Sequence, residues 1–239
     1  MHFKFAVDLA SGQVHCETQM AAARRAPARS PDILFREPEG PEFRQERSRR
    51  SYQALLDAAE VLFGSQGYDA VGTPEIAEKA GVSVGTFYRY FEDKHEVYLE
   101  IMRRDLATAY RDTIERLTPD HFVGKARHET ISAGIAILFG HVLAKPQLTR
   151  SFMEMSLRDP HVAELRRAFE QLAVQKLSSL IEAITTRATV HDPEAFAYIL
   201  YGSAMQCAYG LAVHLAPSSI DRDRARAALT AFIERALFP

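Results

Sequence analysis

The sequence predicts an all-α protein, and three observations carry that prediction. From about Arg44 onward apolar residues recur at three and four positions, no run alternates with the period of two of a half-buried strand, and Gly or Pro falls where helices would start and stop. With 239 residues, 47% hydrophobic and 25% charged, the chain is long enough for one large packed domain or two modest ones.

Residues 1–43 have a different character. Pro27, Pro31, Pro38 and Pro41 stand among several arginines with no sustained apolar period, which predicts a mostly disordered extension. Met20 is an alternative start. The opening stretch MHFKFAVDLASGQVHC has an apolar run too short for a signal peptide, interrupted by Lys4 and Asp8, so no export is implied.

The first helix is expected from about Arg47 to Gln66, with Leu55, Ala59, Leu62 and Phe63 on one face and Gly67 ending it. A short second helix starts with Thr73 as N-cap and Pro74 at the first helical position, and Gly81 stops it. Ser83 caps a third. Asp93 and Glu96 have capping-box spacing and open a fourth helix through Val97, Leu99, Ile101 and Leu106 toward Leu117. Five more helices are expected at about 120–144, 147–157, 161–187, 193–215 and 220–237. Pro146 and Pro160 divide the first three, Asp192-Pro193 supplies a cap followed by Pro, and Pro217 breaks the last pair. About nine helices result, divided between a head at 44–104 and a C-terminal bundle at 105–239.

The net charge of −2 means that a nucleic-acid role must rest on a local patch. Cys16 and Cys207 are two cysteines in unlike segments, so neither a disulfide framework nor a zinc site is expected, in keeping with a reducing cytoplasm. Residues 195–213 carry no formal charge and approach the roughly 20 apolar residues of a membrane span. Gly202, Ser203, Gln206, Gly210 and three tyrosines favour a buried helix instead. No nucleophile elbow, phosphate-cradling Gly-rich loop or His-Glu-x-x-His occurs, and the nine histidines are scattered without metal-ligand spacing. No enzyme, cofactor or metal is therefore expected, and His141 and His214 are taken as core histidines.

Two short helices joined by Ala80-Gly81-Val82-Ser83 have the spacing of a helix-turn-helix. Ile76, Val82 and Phe87 would fill the small core between them. Projected at about 100° per residue, the third helix places Val84, Phe87, Tyr88 and Phe91 on one arc and Gly85, Thr86, Arg89 and Tyr90 on the other. Tyr88 lies at the edge, ring inward and hydroxyl outward. The outward set suits close approach to base edges and phosphates in a major groove. A merely solvated face on a small bundle is the alternative.

The stretch SYQALLDAAEVLFGSQGYDAVGTPEIAEKAGVSVGTFYRYFEDKHEVY, residues 51–98 and about a fifth of the chain, resembles the N-terminal domain of the TetR family of transcriptional regulators. The resemblance is carried by a helix ending in Phe-x-x-x-Gly-Tyr, then Thr-x-x-x-Ile-Ala, Ala-Gly-Val-Ser and Gly-Thr-Phe-Tyr-x-Tyr-Phe-x-x-Lys. It implies that Thr86 and Tyr90 contact bases or phosphates, that Tyr88 gives its hydroxyl to a phosphate, and that Lys94 meets one at the start of the fourth helix. Thr73, Ser83, Val84, Gly85 and Arg89 complete the expected DNA-facing set. Tyr90 stands where many members carry His, and His95 where an acidic residue is common, departures that bear on base preference. Arg44, Arg47, Arg49 and Arg50 form a basic run that would either lie along the DNA backbone or minor groove, or act as a solubilising leader.

For the C-terminal half the resemblance implies an effector-binding and dimerisation domain. Val162, Leu165, Phe169, Leu172, Leu177, Leu180 and Ile184 trace an amphipathic face. Phe139, Phe152, Met153, Met155, Phe169, Tyr198, Tyr201 and Met205 are candidates for lining a largely apolar effector pocket, or for plain packing. Ala204, Ala208 and Ala212 repeat at four residues, and with Ala228, Phe232 and Leu237 they suggest a homodimer through the last two helices, reading a palindromic operator. The expected function is a ligand-responsive regulator, most often a repressor in this family and released by a small-molecule effector. A helical adaptor or membrane-associated ligand-binding protein is the rival.

Overall fold

A computed structural model describes residues 6–7, 14–15, 31–35, 46–123, 126–186 and 188–238. Most of the extension expected at 1–43 therefore lies outside the described residues, as does Arg44. Within the unit 1–30, strands β1 (Ala6–Val7) and β2 (Val14–His15) pair antiparallel, with Ala6 opposite His15.

The unit 31–239 opens with a 3-10 turn at Pro31–Leu34. Leu34 is fully buried and its carbonyl accepts from Arg103 Nη1 at 3.0 Å, so one apolar side chain and one hydrogen bond fasten this Pro-rich segment. Nine α-helices follow among the described residues: α1 (Glu46–Gln66), α2 (Thr73–Lys79), α3 (Val84–Tyr90), α4 (Lys94–Tyr110), α5 (Ala126–Ala144), α6 (Pro146–Arg158), α7 (Pro160–Ile184), α8 (Pro193–Ala212) and α9 (Arg222–Leu237).

Caps explain most of these boundaries. Ser83, Asp93, Asp159, Asp192 and Asp221 each accept first-turn amides with their side chains, satisfying donors that a helix start leaves open. Gly67 and Gly81 have φ of +82° and +69°, left-handed values that let α1 and α2 end in tight turns. Three expectations need correction. Thr73 is not the cap of α2; Gly72 takes that position and, having no side chain, makes no side-chain cap bond, while the Thr73 hydroxyl pairs with Tyr88. Glu96 returns its bond to the amide of Glu92, not to that of Asp93, so the box at α4 is offset by one residue. The fifth helix starts at Ala126, after a separate 3-10 turn at Pro119–Phe122.

Two hydrophobic cores organise the unit. The first runs from Leu55, Phe63 and Phe87 of the head through Val97 and Ile101 of α4 to Phe152, Val162, Leu165 and Phe169 of α6 and α7. It crosses the 104/105 division without a break. The second joins Ile135 and Phe139 of α5 to Ala204 and Ala208 of α8 and Leu229 and Ile233 of α9. The small-residue face of α8 is therefore internal: Ala204, Ala208 and Ala212 are buried within one chain, as is Leu237. Their small side chains let helices of the same chain approach closely, and a partner chain has no access to them. Among the described residues no single helix is long and apolar enough to cross a membrane.

Candidate DNA-binding head and ligand cavity

The head is built around rings. Phe87 of the recognition helix and Phe91 at its C-terminal end are buried, Tyr52 of α1 stacks on Phe91 at 5.0 Å, and behind them Tyr98 meets Phe63 and Tyr68 edge-on while those two rings lie tilted against each other. Such pairs add about 0.5–1.5 kcal/mol each beyond area burial, enough to hold a seven-residue helix that could not persist alone. Phe87 thus acts as the expected anchor.

The opposite face of α3 stays open. Gly85 and Arg89 are exposed, and Tyr88, 55% exposed, shares a 3.1 Å hydrogen bond with Thr73. At the start of the helix the Ser83 hydroxyl accepts from the Thr86 amide at 3.1 Å and lies 2.9 Å from the Thr86 hydroxyl. Hydroxyls from two helices thereby converge on one surface. A Cβ built on Gly85 would meet nothing closer than Ser83 Oγ at 3.8 Å, so the fold itself does not require glycine there.

Six of the expected contact residues sit differently. Val84, projected inward, is 40% exposed, because the first residue of so short a helix overhangs the core that Phe87 reaches. Tyr90, projected outward, is half-buried with its ring edge-on to Tyr52 at 6.0 Å. Arg47, Arg49 and Arg50 belong to the first turn of α1 itself, where Arg49 and Arg50 pair with Glu46. Lys94 turns inward: its Nζ donates to the carbonyls of Tyr68 (2.9 Å), Val71 (2.9 Å) and Asp69 (3.4 Å) and lies 4.6 Å from the centre of the Tyr68 ring. The ammonium thus ties the α1–α2 loop to α4 and is not presented to a phosphate.

In the C-terminal bundle an apolar cavity of about 120 Å³ lies between α5, α7, α8 and α9. Of the proposed lining residues, Phe169, Tyr201 and Met205 face it. Phe152 lines a second cavity of about 60 Å³ that shares Leu138, Phe169 and Met205 with the first. Phe139 and Met155 are ordinary core, and Tyr198 projects outward from α8. Burial drives the Tyr201 phenol well above its ordinary pKa, so its hydroxyl stays neutral, and the surface that the wall presents to the cavity is apolar. Sequence periodicity missed Thr113, Thr130 and Gly134, whose place on the wall follows from which helices meet and not from any local pattern.

One grouping escaped the sequence altogether. His95, Asp159 and His161 are scattered in the chain but converge where the start of α4 meets the corner between α6 and α7. Two of the histidines that are scattered along the chain therefore stand beside one carboxylate in space.

A three-helix head presenting a short exposed helix, joined to a helical bundle lined around an apolar cavity, is a helix-turn-helix head carried on a second helical domain. Residues 55–101 match the family model for bacterial regulatory proteins of the tetR family. The transposon Tn10 TetC protein of Escherichia coli is 37% identical over 62 residues, 26% of this chain and 32% of that protein. The regulator BetI of Vibrio campbellii is 25% identical over 190 residues, 77% of this chain and 90% of that protein. The chain thus spans about a third of the first relative and nearly all of the second. A TetR-family regulator structure from Mesorhizobium loti superposes with a TM-score of 0.63 at 25% identity, covering 81% of this chain and 98% of that one. Residues 55–101 are thus similar to the DNA-binding domain of tetR-family regulators, and the rest of the chain shares the fold of such regulators.

Proposed function

We propose that this protein is a cytoplasmic, ligand-responsive transcriptional repressor that binds a palindromic operator as a homodimer and is released by a largely apolar small molecule. The observation that carries this reading is the recognition helix: Phe87 and Phe91 lock one face into the head while Gly85, Tyr88 and Arg89 remain open to a groove. The exposed faces of α8 and α9, with Tyr198, Ile199, Ala228 and Phe232, supply an apolar surface for a second copy, and two-fold symmetry then pairs two heads with two half-sites.

Helix α7 is the natural lever. Its first half, through Phe169 and Ala173, packs in the core shared with the head, and its second half, through Leu177, Leu180 and Ile184, walls the cavity. At about 120 Å³ the cavity is smaller than the roughly 300–1,000 Å³ of ordinary ligand sites, and a drug-sized effector would widen it by displacing α7. That displacement passes through the shared core to α4 and the head. By linkage, the effector weakens operator binding by as much as it prefers the parted state.

The test is selection of binding sites from random duplex DNA with the purified protein and with its Gly85→Ala and Tyr88→Phe variants. An enriched palindrome is expected, bound at least about tenfold more weakly by Gly85→Ala, because its added methyl fits the fold but intrudes on the groove. Folded protein that enriches no sequence would overturn the reading.

A further inference from the structure

Asp159 ends α6 and caps α7, and its two oxygens divide the work. Oδ1 accepts the amides of His161 at 3.0 Å and Val162 at 2.9 Å, satisfying the open donors of the helix start. Oδ2 lies 2.9 Å from Nε2 of His95, which comes from the first turn of α4 in the head. Nε2 is buried and has no partner other than this carboxylate. His161, one position into α7 and exposed, brings Nδ1 to 3.9 Å from the same carboxylate, and the two imidazole rings stand 5.8 Å apart at 65°. One donor atom from each of the three residues falls within 4.8 Å of the others.

A plain ion pair would explain His95 and Asp159 but not the second imidazole. Two protonated imidazoles on one carboxylate repel each other, whereas two neutral ones with a carboxylate are a donor set that a metal ion can use. Bonds of about 2.0–2.2 Å at tetrahedral angles place ligand atoms roughly 3.3 Å apart. The three donor atoms, one from each residue and all within 4.8 Å of one another, stand somewhat wider than that, so side-chain rotation has to draw them together around an ion. The neighbouring cations are engaged elsewhere: Lys94 is occupied by carbonyls and Arg158 by both oxygens of Asp69.

We propose that His95, Asp159 and His161 bind a divalent transition-metal ion through two imidazole nitrogens and one carboxylate oxygen. This donor set suits zinc, cobalt or nickel and is poor for magnesium or calcium, which take oxygen ligands. Three protein ligands leave a coordination position for water. Because His95 belongs to the head and the other two to the bundle, the ion favours the head orientation that brings them together. On the regulator reading above, operator affinity then changes by the ion's preference for that orientation.

The experiment is titration of cobalt(II) into untagged full-length protein at neutral pH, read by visible ligand-field absorption and by displacement with zinc, alongside His161→Ala and Asp159→Asn. His161 is exposed, so its loss leaves the fold intact, and Asn at 159 keeps the helix cap while removing the charge. The expected result is one ion per protomer, with affinity reduced at least about tenfold in each variant as a first ligand is removed. Folded parent protein that shows no stoichiometric absorption, or binding undiminished in both variants, overturns the proposal. No DNA is involved, so failure here and failure of the regulator reading are separable.

Discussion

The head and the C-terminal bundle are both helical but are packed on different principles. The head surrounds its short helices with interlocking rings of Tyr52, Phe63, Tyr68, Phe87, Phe91 and Tyr98. The bundle joins long helices through alanines and aliphatic side chains and encloses a cavity. A recognition helix of seven residues has no stability of its own, so its geometry must be imposed by rigid neighbours. A sensory bundle has to yield to a ligand, and a core of small and flexible side chains with unfilled space yields more readily.

Truncation of a head ring should expose the difference most strongly. Phe63, fully buried and in contact with the Tyr68 and Tyr98 rings, has no slack around it, so Phe63→Ala is expected to destabilise the protein by about 3–5 kcal/mol. Denaturant unfolding measures it. A loss below about 1 kcal/mol would mean that the head can collapse around the gap, and the contrast between the two cores would fail.

A smaller effect is expected at Lys94, where the head depends on one polar tie. Lys94→Met keeps the chain length and removes the ammonium from the carbonyls of Tyr68, Asp69 and Val71, at an expected cost of about 2 kcal/mol. The thermal midpoint checks this without DNA. If stability is unchanged while operator binding falls, Lys94 serves a phosphate, as the family resemblance implied, and the inward geometry is not what matters.

The same contrast governs what could be read in the chain. Helix starts were visible at Ser83, Asp93 and Asp192 because capping depends on residues a few positions apart. The turn at Gly81 and the anchor Phe87 were visible for the same reason. Faces were harder. Projection of α3 misplaced Val84 and Tyr90, since two turns of helix meet their neighbours at an angle that periodicity does not encode. The alanine repeat of α8 marked close approach correctly but could not say whether the partner was α5 and α9 or a second chain. Lys94 and the His95, Asp159 and His161 group depend on contacts across 23 to 66 positions, for which no local signal exists.

The smallest change in stability, and the sharpest test of the bundle's half of the comparison, lies at Gly134. This residue lines the cavity from the middle of α5, and a Cβ placed on it meets nothing within 4 Å. Gly134→Leu adds four carbons toward space that is already open. It also removes a helix-interior glycine, worth about 0.8–1 kcal/mol relative to alanine. Stability is therefore expected to hold or rise by about 1 kcal/mol, where overpacking a filled core would cost about 1–3 kcal/mol. Benzene is a suitable probe, because a dry apolar cavity of about 150 Å³ accepts it. Saturating benzene should raise the thermal midpoint of the parent protein and leave that of Gly134→Leu unmoved, with operator binding intact in both. If the leucine destabilises the protein by several kcal/mol, the space is not available to a ligand. The bundle would then be as tightly packed as the head, and effector entry would have to be sought elsewhere in the molecule.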